Sequence, residues 1–399
     1  MAVMIGAREG SLTRIWTSRV ARLVVTLALV ATRPALGATQ ELASSNRAEA
    51  LPARLADSTF WRLVTTTSEP GGYFRSDNFV SNETSYQWVI PELLRTTKPG
   101  GVYLGVGPDQ NFTYLVALRP KIAFIFDIRR QNMLTHLMYK ALIEQSSDRA
   151  DFLSRLFSRP RPAHLDTLTA PESLFVAYQL VPPDSAAYRR NIASIIDQLS
   201  KKHHFALSPD DTASIGYVYR SFVAYGPDIT YNSSQGRSTG YGRMPSYAQL
   251  QIETDSVGLH RSYMANEANF RALKQLEVDN LVVPLVGDFA GPTAIRSVGT
   301  YLREHHAGVT AFYLSNVEQY LFQQGDDWRH FFENVGELPL DSTSTFIRSV
   351  FDGAVYYRGA PPFGGYMRAR QMLGSMLAQV TAFKAGKLAT YSDVIETSR

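Results

Sequence analysis

The stretch Lys98–Asn132, KPGGVYLGVGPDQNFTYLVALRPKIAFIFDIRRQN, decides the fold. A Pro-Gly-Gly turn closes at Gly101, and Val102–Leu104 make a short apolar run suited to a buried strand. Gly105 and Gly107 then allow a tight turn. Asn111–Leu118 fit a helix, which Arg119-Pro120 ends because proline supplies no N–H and restricts the residue before it. Ile122–Phe126 form a second apolar strand, with Asp127 at its carboxyl end. A strand, glycine turn, helix and strand within about 30 residues is the size of one βαβ unit.

The same pattern returns later in the chain. Leu281–Val286 is a buried strand ending in Gly287-Asp288, a helix is expected from Pro292 to His305, and Val309–Leu314 is the next strand, followed by Ser315–Glu318. Between the two halves, a helix over Gln131–Gln145 opens a segment of mixed character that includes a Gly/Tyr/Ser-rich loop at 231–247. A helix is also expected at Tyr86–Arg95 and another at Tyr366–Phe383. The expected fold class is therefore α/β, a Rossmann-like αβα sandwich on a mostly parallel sheet with a large, mainly helical insertion. The divisions are a leader (1–37), an N-terminal segment packed on the core (38–98), the first half of the Rossmann-like domain (99–130), the insertion or cap (131–280) and the second half (281–399).

An apolar fraction of 45% against 19% charged residues implies a packed globular body. The 12% aromatic share suits broad apolar clefts or a bulky core. With no cysteine there are no disulfides, thiolate metal sites or cysteine nucleophiles. The net charge of +4 is concentrated in the leader, where five arginines face the single acid Glu9, so the rest of the chain is close to neutral and no nucleic-acid partner is expected. In the leader four arginines precede the apolar run Leu23–Ala31, and Ala35 and Gly37 are spaced for cleavage before Ala38. That pattern is the one expected of an export signal, which would place the mature protein in the periplasm; a cytoplasmic protein with a basic tail is the alternative. A run this short does not span a bilayer, which needs about 20 residues, so no stable membrane insertion is expected once the leader is removed.

In an open parallel sheet, ligands gather outside the carboxyl ends of the strands. Gly105 and Gly107 bring backbone close to a ligand there, and the next helix offers free N–H groups. Asp127, 22 residues after Gly105, stands where a carboxylate accepts the hydrogens of a ribose diol. Gln110 replaces the third glycine of the dinucleotide pattern, which disfavours NAD; Arg129 and Arg130 suit a 2′-phosphate or, more commonly, pair with acids. Tyr73, Arg75, Asp77, Asn78, Asn82 and Glu83 form a polar segment just before the first strand, read either as substrate-binding groups or as caps and ion pairs. His203-His204 and His305-His306 lack metal-ligand spacing, and no metal is expected. There is no G-x-S-x-G and no P-loop, which leaves an α/β-type serine hydrolase unsupported and excludes a P-loop ATPase.

These features resemble the class I S-adenosylmethionine-dependent methyltransferases. The stretches YFRSDNFVSNE, YLGVGPDQNF, FIFDIRRQN, VVPLVGDFAGP and AFYLSNVEQYL are similar to an uncharacterised bacterial family with that fold, which has a leptospiral representative. The resemblance covers roughly 60–390. It implies S-adenosylmethionine as cofactor, with Gly105, Gly107 and Asp109 at its methionine part, Asp127 at its ribose, Asp288 at its adenine and Asn111 among the cofactor-binding residues. It places Ser315–Glu318 beside the transferring methyl, with Glu318, Asn316 and Tyr320 as candidate catalytic groups. Tyr73, Arg75, Asn78, Asn82 and Glu83 are the candidate substrate contacts. Two departures stand out: Tyr103 replaces the acid two residues before the first glycine, and Asp109 replaces the third glycine.

Two readings follow: a methyltransferase acting on a small-molecule acceptor, or a non-catalytic ligand-binding or interaction protein on a degenerate methyltransferase fold. Export would separate the protein from a cofactor made in the cytosol. Mass spectrometry of the native N-terminus should find a mature chain beginning near Ala38; an intact Met1 would remove the export reading.

Overall fold

The computed structural model describes residues 50–235, 244–351 and 369–399. The leader (1–37), residues 38–49 and 236–243, and Tyr366–Arg368 of the expected C-terminal helix lie outside these residues. The described chain opens with helices α1 (Asp57–Thr67) and α2 (Ile90–Thr96), then β1 (Val102–Val106), α3 (Gln110–Leu118) and β2 (Ile122–Asp127). Helices α4 (Arg130–Gln145), α5 (Arg149–Phe157), α6 (Pro171–Gln179), α7 (Ser185–Asp197), α8 (Pro209–Tyr225), α9 (Tyr247–Ile252) and α10 (Glu267–Val278) follow. The second half runs β3 (Val282–Val286), α11 (Ala294–Glu304), β4 (Val309–Ser315), α12 (Val317–Leu321), α13 (Asp327–Gly336), β5 (Thr345–Val350), β6 (Arg370–Ser375), α14 (Met376–Lys384) and α15 (Tyr391–Glu396).

The six strands form one sheet in the order β3-β2-β1-β4-β5-β6, parallel except for β6, which runs against β5. This is the expected α/β architecture, and the helices α4–α10 between β2 and β3 form the expected helical insertion. The strand order reverses between β1 and β4, so a crevice is expected outside their carboxyl ends. Every residue of β2 and β3 is buried, which means that both faces of the sheet are covered there. No helix among the described residues is long and apolar enough to cross a membrane.

The two faces differ chemically. On one, Phe126, Phe312, Phe331, Phe346 and Phe289 stack with centroids 5.0–6.3 Å apart. On the other, Tyr103 and Tyr313 face Tyr114, with ring centroids 6.3 and 5.1 Å away. The pairing Tyr103↔Ala311 puts Tyr103 and Tyr313 on the same side by strand alternation. Buried phenols need hydrogen-bond partners, and each finds one: Tyr103 donates to Asn111 Oδ1 (2.9 Å), Tyr114 to the Tyr86 carbonyl (2.7 Å) and Tyr313 to Glu83 Oε2 (2.5 Å). The aromatic residues thus build a bulky core whose polar side leads to the carboxyl edge.

Two expected helices are corrected. Residues 85–89 are turns, and α2 starts only at Ile90. Gln87 holds this turn by donating to the Leu250 carbonyl (3.2 Å) and accepting from Arg261 N (2.9 Å), contacts that a local pattern does not reveal. The helix expected over Tyr366–Phe383 gives its first described half to strand β6, and α14 begins at Met376. Pairing with β5 on one side, and Leu373 with Arg399 on the other (2.8 Å), draws this short segment into the sheet.

Gly105 has a specific packing reason. A Cβ at this position would lie 2.0 Å from Asn111 Oδ1 and 2.8 Å from the Tyr103 ring. Gly105→Ala should therefore destabilise by about 1–3 kcal/mol, the usual cost of overpacking, read as a lower urea midpoint with an unchanged slope.

Candidate functional site

The turn after β1 is built from Gly107, at φ 81°, a conformation L side chains rarely adopt. Its N–H donates to the Phe126 carbonyl (3.1 Å) and so ties β1 to β2. Asn111, fully buried in the first turn of α3, donates through Nδ2 to the carbonyls of Val106 (2.9 Å), Gly107 (3.2 Å) and Pro108 (2.8 Å). The Gly107 carbonyl also accepts from Asn132 Nδ2 (3.2 Å) and His136 Nε2 (2.9 Å) of α4. Burial pushes the His136 imidazole down to about 4, so the ring is neutral, and its contact assigns the proton to Nε2. The glycines were expected to admit a ligand. They admit Asn111 instead.

Two of the three expected cofactor acids, Asp127 and Asp109, are buried and engaged. Asp127 Oδ1 accepts from Arg129 N (2.8 Å) and Nε (3.0 Å), and Oδ2 accepts from Arg129 Nη2 (2.9 Å). Both side chains are less than 9% exposed. Arg129 Nη1 continues to the carbonyls of Ser76 (2.7 Å) and Asp77 (2.8 Å), which draws the 73–83 segment over the end of β2. Arg130 pairs with Asp211 at 2.6 and 2.9 Å. Both arginines therefore meet acids, the commoner of the two expected outcomes. Asp109 points into the insertion, where Oδ2 accepts from Gln251 Nε2 (2.8 Å) and the Tyr263 hydroxyl (2.9 Å). Burial pushes its carboxyl up to about 7 against these stabilising bonds.

Asp288 is exposed; its Oδ1 accepts from Ala290 N (2.9 Å) in a local turn. Desolvation, followed by the Asp327 and Glu69 carboxylates, raises its carboxyl. Beside it, Glu69 fills the N-terminus of α11. Its Oε1 accepts from Thr293 N (2.7 Å) and Ala294 N (2.9 Å), and its Oε2 accepts from Asp288 N (2.9 Å). A helix N-terminus holds an anion in this way, and here the anion belongs to the chain.

The expected catalytic group separates. Glu318 is buried in an ion pair with Arg348, with Nε donating at 2.6 Å and Nη2 at 3.2 Å. Arg348 also donates to Gln379 Oε1 (2.9 Å) and to the Ser398 hydroxyl. Glu318 therefore joins α12, β5 and the C-terminal helices and is not a free base. Asn316 caps α12 and stays half-buried, and Tyr320 is exposed, its ring edge-on to Phe74 at 6.1 Å.

Of the expected substrate contacts, Tyr73 and Arg75 are exposed, while Asn78 and Asn82 are half-buried, with Asn78 at φ 50°. Asp77 accepts from the Tyr217 hydroxyl (3.0 Å) and from Ser234. Glu83 is different. Only 1% exposed, it accepts from the Tyr313 and Ser349 hydroxyls on Oε2 and the Ser315 hydroxyl on Oε1, at the carboxyl ends of β4 and β5. Burial raises its carboxyl above the usual range. Gln110, also buried, donates to the Tyr313 hydroxyl (3.3 Å), and its Oε1 has no partner among the described residues.

Sequence reasoning missed Glu69, Arg348, Ser349, Gln251 and Tyr263. Each lies far along the chain from its partner, so no spacing signalled it. Two surface hollows, one lined by Pro183, Tyr188 and Arg220 and one by Thr96, Thr345 and Ser398, are lined by neither the glycine turn nor Asp127. Among the described residues no group of three or more His, Asp or Glu side chains is placed to hold a metal ion.

A family model described as a domain of unknown function (DUF7790) matches residues 78–170 and 201–384, more than half of the chain. No curated protein matches the chain.

Asp109 gives a signed pH prediction. Its folded value of about 7 stands above the ordinary 3.8, so the folded state keeps a proton that the unfolded chain has released. The associated stability is present below pH 4 and lost as pH rises through 7. Asp109→Asn keeps an acceptor for Gln251 and Tyr263 and removes the titration. Urea unfolding at pH 5 and pH 8 should show the variant losing less stability than the parent across that interval, by about 2 kcal/mol.

Proposed function

We propose, from the premise that the chain belongs to the DUF7790 family, that it is a small-molecule-binding protein on a class I S-adenosylmethionine-dependent methyltransferase-like scaffold, whose ordinary cofactor seat is filled by its own side chains. Support for the scaffold comes from the sheet order β3-β2-β1-β4-β5-β6, the glycine turn after β1 and the acid ending β2. The ligand site we favour is the carboxyl edge beside the β1/β4 reversal, where Glu83 and Ser315 meet.

One observation carries the loss of the cofactor seat, the fork of Arg129 on Asp127. A ribose diol would need the oxygens that this guanidinium occupies. Hydrogen bonds to a charged group contribute about 1.5–3 kcal/mol each. Breaking a buried ion pair costs about 3–5 kcal/mol. Two such bonds from a diol would therefore only balance the pair they displace, which leaves the ribose contact little net gain. Glu69 at the α11 N-terminus and Asn111 beneath the glycine turn support the same reading. Glu318, already neutralised by Arg348, offers no base for methyl transfer.

Titration calorimetry with S-adenosylmethionine, S-adenosylhomocysteine and NADP should give no saturable heat; a dissociation constant below about 100 μM for any of them, some −5.5 kcal/mol, would overturn the proposal. Asp127→Asn should cost about 3–5 kcal/mol of stability by leaving Arg129 buried without its counter-charge. A ribose acid standing free in its crevice would tolerate the change.

A further inference from the structure

The carboxyl end of β4 holds a reactive arrangement that goes beyond the binding function proposed above and does not depend on the cofactor question. Ser315 ends β4, Asn316 follows as a single turn residue, and α12 begins at Val317. Ser315 has φ 53°, a left-handed conformation that strains a side-chain-bearing residue. The β4–β5 register shifts between Tyr313 and Ser315, so the backbone bends at this serine. A serine on a strained strand-to-helix turn at the top of a parallel sheet presents its hydroxyl outward. This turn manages it without glycines on either side, since Tyr313 and Val317 occupy the positions two residues away.

The partner of this hydroxyl is a carboxylate held from behind. Glu83 Oε2 accepts from two buried hydroxyls, Tyr313 and Ser349, while Oε1 faces Ser315. Tyr313 and Ser349 are each 0% exposed, whereas Ser315 is half-buried, so among the three donors only Ser315 reaches the surface. Its hydroxyl has one other acceptor nearby, Asn316 Oδ1 at 3.4 Å. Burial keeps the Glu83 carboxyl above the usual range, which makes the ionised form a better proton acceptor. A nucleophile, a base in contact with it and further groups that orient the base are the three parts of an activated hydroxyl.

We propose that Ser315 is a nucleophile activated by Glu83, and that the site takes a carboxylic ester. The Ser315 Oγ attacks the ester carbonyl carbon as its proton passes to Glu83. A new carbon–oxygen bond forms, the bond to the alcohol oxygen breaks, and the alcohol leaves with that proton. Water then attacks the acyl-serine, gives its proton to Glu83, and the proton returns to Oγ as the acid departs. Tyr313 and Ser349 are positioning residues that fix the carboxylate.

The test is labelling of the full chain with a fluorophosphonate, whose phosphorus is attacked by an activated serine with loss of fluoride. Peptide mass spectrometry should locate the adduct on Ser315, and Ser315→Ala should abolish it. Glu83→Gln should slow labelling by about 10²-fold, the lower range for loss of a general base, and should remove the rise in rate with pH through ionisation of the carboxyl. If Glu83→Gln fails to fold by circular dichroism, Glu83→Asp, which keeps the charge but withdraws it from Oγ, should show the same slowing. No adduct, an adduct on another serine, or equal rates in parent and folded Glu83 variant would overturn the proposal. Calorimetry with S-adenosylmethionine is blind to this outcome, so the two proposals fail separately.

Discussion

A buried carboxyl group must find hydrogen-bond donors or take up a proton. Among the described residues, the carboxyl edge of this sheet holds such groups at Asp109, Asp127 and Glu83, each less than 9% exposed. Each is satisfied differently. Asp127 takes a guanidinium, which fixes the entry to α4. Asp109 takes only an amide and a phenol, and its carboxyl rises to about 7. Glu83 takes three hydroxyls, one of which reaches the surface. The rest of the edge is arranged around these solutions: the 73–83 segment lies where Arg129 holds it, and the insertion is anchored to the glycine turn through Gln251 and Tyr263.

The sheet supplies the chemistry of this edge through its two faces. The phenylalanine face is apolar and only packs. The tyrosine face carries hydroxyls into the interior, where each must be paired. Tyr103 meets this demand at Asn111, and Asn111 in turn holds the glycine turn. Tyr313 meets it at Glu83, whose other partners include the half-buried Ser315. Tyr103 and Asp109, the two departures from the pattern the sequence resembles, are each hydrogen-bonded within the chain.

The same geometry separates scaffold from chemistry. A glycine turn, a helix N-terminus and an acid at a strand end are receptive features. Here Asn111, Glu69 and Arg129 answer them from within the chain. The strained serine at the end of β4 is half-buried and meets Glu83.

Local pattern determined much of this protein by itself. The apolar runs Val102–Leu104, Ile122–Phe126, Leu281–Val286 and Val309–Leu314 mark the strands because continuous burial demands it, and the turn at Gly105–Gly107 follows from backbone freedom. The polar density of Tyr73–Glu83 also marked a segment that reaches the carboxyl edge. Tertiary structure alone decided who partners whom. Arg129 beside Asp127 was legible as a pair or a phosphate contact, and only packing chose. Glu318 looked like a base until Arg348, 30 residues on, arrived beside it. Ser349 and Ser315 come to one carboxylate more than 230 residues upstream. A sequence encodes periodicity and turn chemistry within a few residues of each position; the partner of a buried charge is set by the sheet order that brings distant strands together.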